Sequence, residues 1–265
     1  LRRGGPGHAG AQRLLVIVRL GRRSTNRLRV EGYPTSSNRA SSLHLHWTPR
    51  VTLSEVWVTL KVVDPPTVPE LYFWALQASF ADATGVFGGA HLGLQWHPSY
   101  PGSTAVNWGG YDRSGKELVG SGSDLPSVLG NANTRDFAWV AGNEYRLRIF
   151  PERPGWWAGE VTDANSGVAA VVRSLPGGGD HLTLPLVWSE VFARCNAPGV
   201  TVVWANPGGV STSGAIWRPE AYTTTYQREA DGGCSNTDSR GMAEGVGQLT
   251  SVERTNPPGT QLPVQ

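Results

Sequence analysis

Gln77, His91, Gln95, His97 and Asn107 are amide and imidazole side chains that follow one another closely in the chain. Each offers a donor and an acceptor in a fixed plane, which suits ligands rich in hydroxyl groups. Arg146 and Arg148 add two guanidinium groups, and Trp156 adds an indole face on which a pyranose ring could stack. Together these residues form a candidate ligand-binding set.

Catalytic chemistry has fewer candidates. Glu190 is a lone acid among apolar residues and shares strand parity with Leu186 and Trp188. Burial there would raise its pKa and suit it to donating a proton. His97, Gln95 and Tyr145 could join it in a lyase or hydrolase. Retaining glycosidases need two carboxyl groups about 5–5.5 Å apart. The E-x-D-x-x-E strand that would supply them is absent, and Glu160 and Asp163 fall on opposite faces of an ideal strand. The chain has no G-x-S-x-G elbow and no Walker loop, and its Gly177–Gly179 run precedes a strand.

For metals, His44 and His46 place two imidazoles on one strand face, a spacing that zinc and copper sites use. A third ligand would have to come from His91 or His97 on another strand. Asp112, Asp124, Asn131, Asn133 and Asp136 cluster in a polar stretch that could hold a structural calcium, without EF-hand order. No other cofactor is implied.

These groups have to be positioned by strands. In Leu71–Phe80, Tyr72, Trp74, Leu76, Ala78 and Phe80 share one side. In Ala90–Trp96, the apolar Ala90, Leu92, Leu94 and Trp96 oppose His91, Gly93 and Gln95. This is the period of a half-buried sheet. Similar segments recur at Leu43–Trp47, Val56–Val63, Ala105–Trp108, Glu144–Phe150, Trp156–Thr162, Gly167–Ser174, Leu184–Phe192, Val200–Trp204 and Tyr222–Gln227. Residues 113–134 read as a long loop. With no lasting 3.6-residue stripe, eleven or twelve strands and 11 Trp, the fold class is all-β: an antiparallel two-sheet β-sandwich of jelly-roll, concanavalin-like type.

Composition divides the chain. Residues 1–40 hold nine arginines against the single acid Glu31, and the remainder is net acidic. They read as a basic flexible arm able to engage an anionic polymer. Residues 41–240 form the sandwich, and residues 241–265, rich in Gly and Pro, an extended tail. The two cysteines, Cys195 and Cys234, in a chain with one Met and a charged fraction of 17%, read as one disulfide of a secreted protein. No apolar run is long enough to span a membrane as a helix; Leu14–Val18 is far too short.

Several landmarks appear in a set order: Leu71-Tyr72-Phe73-Trp74, Gly93-Leu94-Gln95, Asn107-Trp108-Gly109-Gly110-Tyr111, Trp139, Tyr145-Arg146-Leu147-Arg148, Trp157-x-Gly159-Glu160 and Cys195. Over residues 41–205 this order resembles the bacterial family called domain of unknown function 3472. The resemblance implies a concanavalin-like or jelly-roll sandwich in an exported protein, and it supplies no catalytic residues. Gln95-Trp96-His97 is also similar to the Q-x-H strand of alginate-lyase-like jelly rolls, whose partner motifs are missing here. The expectation is a secreted carbohydrate-binding or cell-surface module without catalytic activity. The alternatives are a polysaccharide lyase or glycoside hydrolase on the same fold, and a structural subunit of an extracellular assembly.

Overall fold

The alternation read at Leu71–Phe80 is realised in a strand. Tyr72, Trp74, Leu76, Ala78 and Phe80 all lie in the core, whereas Gln77 and Ser79 are only partly covered. The computed structural model describes residues 32–265. The expected basic arm therefore lies outside the described residues up to Glu31. In chain order the strands begin with β1 (Ser41–His46), β2 (Leu53–Asp64), β3 (Tyr72–Asp82), β4 (Gly85–Trp96), β5 (Thr104–Asp112) and β6 (Ser127–Val128). Next come β7 (Asn131–Asp136), β8 (Glu144–Arg153), β9 (Trp156–Asp163), β10 (Ala169–Leu175), β11 (His181–Val191) and β12 (Thr201–Ser211). The last are β13 (Ile216–Trp217), β14 (Ala221–Tyr226), β15 (Thr237–Met242), β16 (Gly245–Thr250) and β17 (Gln261–Pro263).

Every pairing is antiparallel. One layer runs β17–β14–β1–β11–β3–β4–β5–β7–β6. The other runs β15–β16–β12–β2–β8–β9–β10, with β13 alongside the far end of β12. A single pair, Leu182 with Leu53, joins the layers. The fold is an antiparallel β-sandwich of jelly-roll type, as the strand pattern predicts.

The strands not foreseen are short and polar or glycine-rich. β6 and β7 occupy part of the stretch expected as a long loop. β16 and β17 pair within what was expected to be a separate tail after residue 240, and that boundary falls inside β15. Gly241, Gly245 and Gly247 carry no side chains from which an alternation could be read. The tail is extended, but it belongs to both layers.

The two inner faces meet over aromatic rings. Trp157 of β9 stacks on Phe80 of β3 with centroids 5.5 Å apart, and Trp74 meets Trp139 edge-on at 5.8 Å. Gly159 of β9 has to lack a side chain, because a Cβ there would sit 2.8 Å from the Trp108 ring of β5. One buried amide also ties the layers. Gln248 of β16 accepts from Ser189 Oγ at 2.6 Å and Trp204 Nε1 at 2.9 Å, and it donates to the Leu43 carbonyl at 3.0 Å. A buried polar group so fully engaged favours one register over its alternatives.

Two devices fix the chain ends. Cys195 and Cys234 form the expected disulfide, and the Cys195 N–H donates to the Gly32 carbonyl. Asp238, with no exposed side chain, accepts from Thr255 Oγ1 at 2.7 Å, from the N–H groups of Thr255 and Asn256, and from Arg240. Burial alone would push its pKa up. The Thr255 and Asn256 donors and Arg240 more than offset that and hold the carboxyl below the usual range.

Two outcomes follow. The Cys195→Ser/Cys234→Ser protein should lose about 4 kcal/mol of stability, since the bridge spans 39 residues, as read by denaturant midpoint. The depressed Asp238 pKa contributes stability that is present above the unfolded value and lost as pH falls through the folded value. Acid unfolding followed by fluorescence should therefore show a shallower loss below about pH 4 in Asp238→Asn than in the native chain, from a starting stability lower by roughly 2–3 kcal/mol.

Candidate functional site

β11 changes sides part way along. Leu182 pairs with Phe80 and points into the core, but Leu186 pairs with Gln77 and points outward. The register slips between them at Leu184–Pro185, where Leu184 is exposed and left-handed at φ 50°. That conformation costs a non-glycine residue about 1–2 kcal/mol. Beyond this bulge Leu186, Trp188 and Glu190 stand on the outer face of the nine-stranded layer, and Val187, Ser189 and Val191 take the core side.

Three levels of side chains cross that face. The middle one runs His44, Trp188, Ala75, Gly93, Asn107 and Thr134. On one side of it lie Ser42, Glu190, Phe73, Gln95, Ala105 and Asp136, and on the other His46, Leu186, Gln77, His91 and Gly109. The small Ala75 and Gly93 at the centre leave room into which three rings fold. Phe73 lies 4.8 Å from Trp188 and 5.5 Å from His91, and His91 lies 5.6 Å from Trp188. Phe73, Ala75, Leu186 and Trp188 form a second apolar cluster, separate from the main core.

Polar groups edge these rings. Trp188 Nε1 donates to Gln77 Oε1 at 3.0 Å. Asn107 Nδ2 donates to Thr134 Oγ1 at 3.0 Å, and that hydroxyl donates to Gln95 Oε1 at 3.2 Å. Tyr100 OH reaches the same Gln95 oxygen at 3.4 Å. The Asn107 side-chain oxygen, Oδ1, is buried without a partner among the described residues. Gln77, His91, Gln95 and Asn107 thus share one face of adjacent strands, as their parity predicts.

Four titratable groups on this face, Glu190, His91, His44 and His46, are pushed toward their neutral forms. Burial raises Glu190 above the usual carboxylate range, only partly countered by Asn38 Nδ2 at 2.6 Å from its Oε1. Burial lowers His91 to about 4. Burial, aided by the neighbouring His46, also lowers His44 to about 4. His46 is lowered by burial too, and its Nε2 lies 2.9 Å from Thr225 Oγ1.

Other expected site residues lie elsewhere. His97 follows the end of β4, where its Nδ1 accepts the Ser99 N–H in a turn and its ring lies 5.4 Å from Tyr100. Tyr145 does not join His97 and Gln95. It is buried on the inner face of the other layer, and its hydroxyl accepts the Val140 N–H. Arg146 and Arg148 also sit on that other layer, facing outward, because β8 pairs with β2 and β9. Arg148 holds Glu55 through two 2.7 Å bonds and reaches Glu160 at 3.4 Å. Trp156 starts β9, with the Arg153 guanidinium 4.1 Å above its ring, and Trp157 is core.

The metal candidates gain no third ligand. His44 and His46 stand 5.9 Å apart by ring centroid, but β11 and β3 separate β1 from β4 and therefore from His91. Among the described residues no group of three or more His, Cys, Asp or Glu could hold an ion. In the loop proposed for calcium, the Asp112 carboxylate is engaged by Ser114 and Lys116 of its own turn, and Asn133 donates to Glu117.

Several residues of the face escape a sequence reading. Phe73 and Trp188 are apolar and so read as core; parity assigns Phe73 to the polar side, whereas Trp188 reaches the outer face only through the bulge in β11. Asn38 falls in the expected arm, and Tyr100 and Thr134 in loops, so only the folded chain brings them to Glu190 and Gln95.

No family model matches the chain, and no curated protein matches it. Solved structures with related strand arrangements include Scytalido-glutamic peptidase with a peptide-based transition-state analogue, at 10% identity and TM-score 0.49, covering 80% of this chain and 98% of that one. A second is SCP-B, a member of the Eqolisin family of peptidases in complex with a tripeptide, at 10% identity and TM-score 0.45, covering 82% and 98%. A third is basic winged bean lectin with Tn-antigen, at 12% identity and TM-score 0.21, covering 61% and 77%. These likenesses concern the fold and assign no residue a role.

Proposed function

We propose that the outer face of the nine-stranded layer binds an uncharged polysaccharide, in a secreted protein held by its single disulfide. The observation that carries this reading is the pairing of a three-ring floor with amides that keep open hydrogen-bonding positions, on a face where burial disfavours the charged forms of Glu190, His44, His46 and His91. The side-chain NH2 groups of Gln77 and Gln95 and the Asn107 carbonyl have no partners among the described residues, and all border the Phe73–His91–Trp188 rings. Sugar hydroxyls match planar donors and acceptors, and pyranose faces match aromatic edges. Burial works against charge on Glu190, His44, His46 and His91, which disfavours a charged ligand beside them.

Titration calorimetry with a panel of neutral oligosaccharides tests this. Saturable binding is expected, and the Gln77→Ala/Gln95→Ala variant should bind roughly five- to a hundredfold more weakly, two lost hydrogen bonds being worth roughly 1–3 kcal/mol. Binding should also fade as pH drops through about 4, where His44 and His91 take up protons. No binding across the panel, or unchanged affinity in the variant, would remove the proposal.

A second reading rests on Glu190. A carboxyl whose pKa is raised by burial is better suited to act as a general acid, which would make the protein a polysaccharide lyase or hydrolase. The opposed carboxylate of a glycosidase pair is missing: Asp136 shares the level but stands four strands away, roughly 19 Å at the usual strand spacing. If turnover occurs, Glu190→Gln should abolish the release of reducing ends or unsaturated products while leaving binding intact. Turnover that survives in Glu190→Gln would exclude this role.

A further inference from the structure

At the edge of the sandwich a cleft of about 360 Å³ opens where β1 runs out and β13 leads into β14. It is separate from the rings of the outer face, although Thr223 on its wall pairs with His46. Trp47, only 3% exposed, lines this cleft, and its indole N–H has no partner among the described residues. Tyr222, on the core side of β14, meets Trp47 edge-on at 5.4 Å, and its buried hydroxyl has no partner among the described residues either. Buried donors left so are costly.

The rim carries the opposite requirement. Arg50 and Arg218 line the cleft, both exposed and neither within ion-pair reach of a carboxylate among the described residues. Glu220 is the one acid of the lining, and it too is exposed. Charge is already in excess next door. Arg218 stands 6.0 Å above the Trp57 ring and Arg146 4.8 Å above it, while Glu55 serves both Arg146 and Arg148. Guanidinium groups left over in this way are matched to a carboxylate, which they can hold through two parallel bonds. Trp217, half-buried in the same lining, offers a ring face beside them.

We propose that this cleft is a binding site for a uronic acid unit of an acidic polysaccharide, with Arg50 and Arg218 on the carboxylate and Trp217 against the sugar ring. The site goes beyond the neutral-glycan face and uses none of its residues. Thr48 and Gln261 stand where ring hydroxyls would reach.

Tryptophan fluorescence and calorimetry at low salt would compare an oligogalacturonate with the neutral oligogalactose of equal length on the full chain. The acidic chain should bind at least tenfold more tightly than the neutral one. Arg50→Ala/Arg218→Ala should weaken it at least tenfold with an unchanged thermal midpoint, and Gln77→Ala/Gln95→Ala should leave it unaffected. Equal binding of the two oligomers would overturn the assignment. So would acidic binding that persists in the double arginine variant, as it would if the arginines of residues 1–31 carried it. Loss in the Gln77/Gln95 variant would instead move the acidic ligand to the outer face and overturn it equally.

Discussion

One surplus residue in β11 decides what stands on the outer face of the nine-stranded layer. Were the strand regular from Leu182 onward, Leu186, Trp188 and Glu190 would keep the parity of Leu182 and point into the sandwich. The bulge is held because β11 is paired on both sides beyond it, with β1 from His46 to Ser41 and with β3 from Gln77 to Tyr72. The left-handed Leu184 is thus a local cost set against two full ladders and the packing of Trp188 on Phe73. Backbone strain of this kind persists only where the surroundings over-determine it.

The two outer faces of the sandwich treat charge in opposite ways. On the layer containing β2, β8 and β9, Glu55 and Glu160 pair with Arg146 and Arg148 in a ladder across three strands. On the layer containing β3 and β4, desolvation holds Glu190 protonated to higher pH and keeps His44 and His91 neutral to lower pH. A carboxylate held by two guanidinium bonds is favoured in its charged form, whereas a carboxyl that burial desolvates is not. The same all-β scaffold therefore presents one surface suited to ions and one suited to neutral polar groups.

Much of this was legible in the residues. The parity of Leu71–Phe80 and Ala90–Trp96 assigned core and outer positions correctly from Tyr72 to Trp96, and the neighbours of Glu190 announced its desolvation. What alternation cannot report is which strands become neighbours. Arg146 and Arg148 face outward as their strand pattern predicts, yet on the layer opposite Gln95, because β8 joins β2 rather than β5. Tyr145 reads as inward-facing and is so, which removes it from any chemistry with His97. The distance between β1 and β4 is likewise set by β11, a strand that arrives more than a hundred residues later and inserts beside β3. Glycine-rich β15 and β16 left no pattern to read at all.

Asn38 reaches the Glu190 carboxylate from the segment ahead of the first strand, where the Thr35 N–H also bonds the Gly232 carbonyl close to the disulfide. A chain clipped just after this asparagine would keep every strand of the sandwich. Its Glu190 would then lose the amide that favours ionisation and become a weaker acid still. The acidity of the outer face is accordingly coupled to a residue that belongs to no strand.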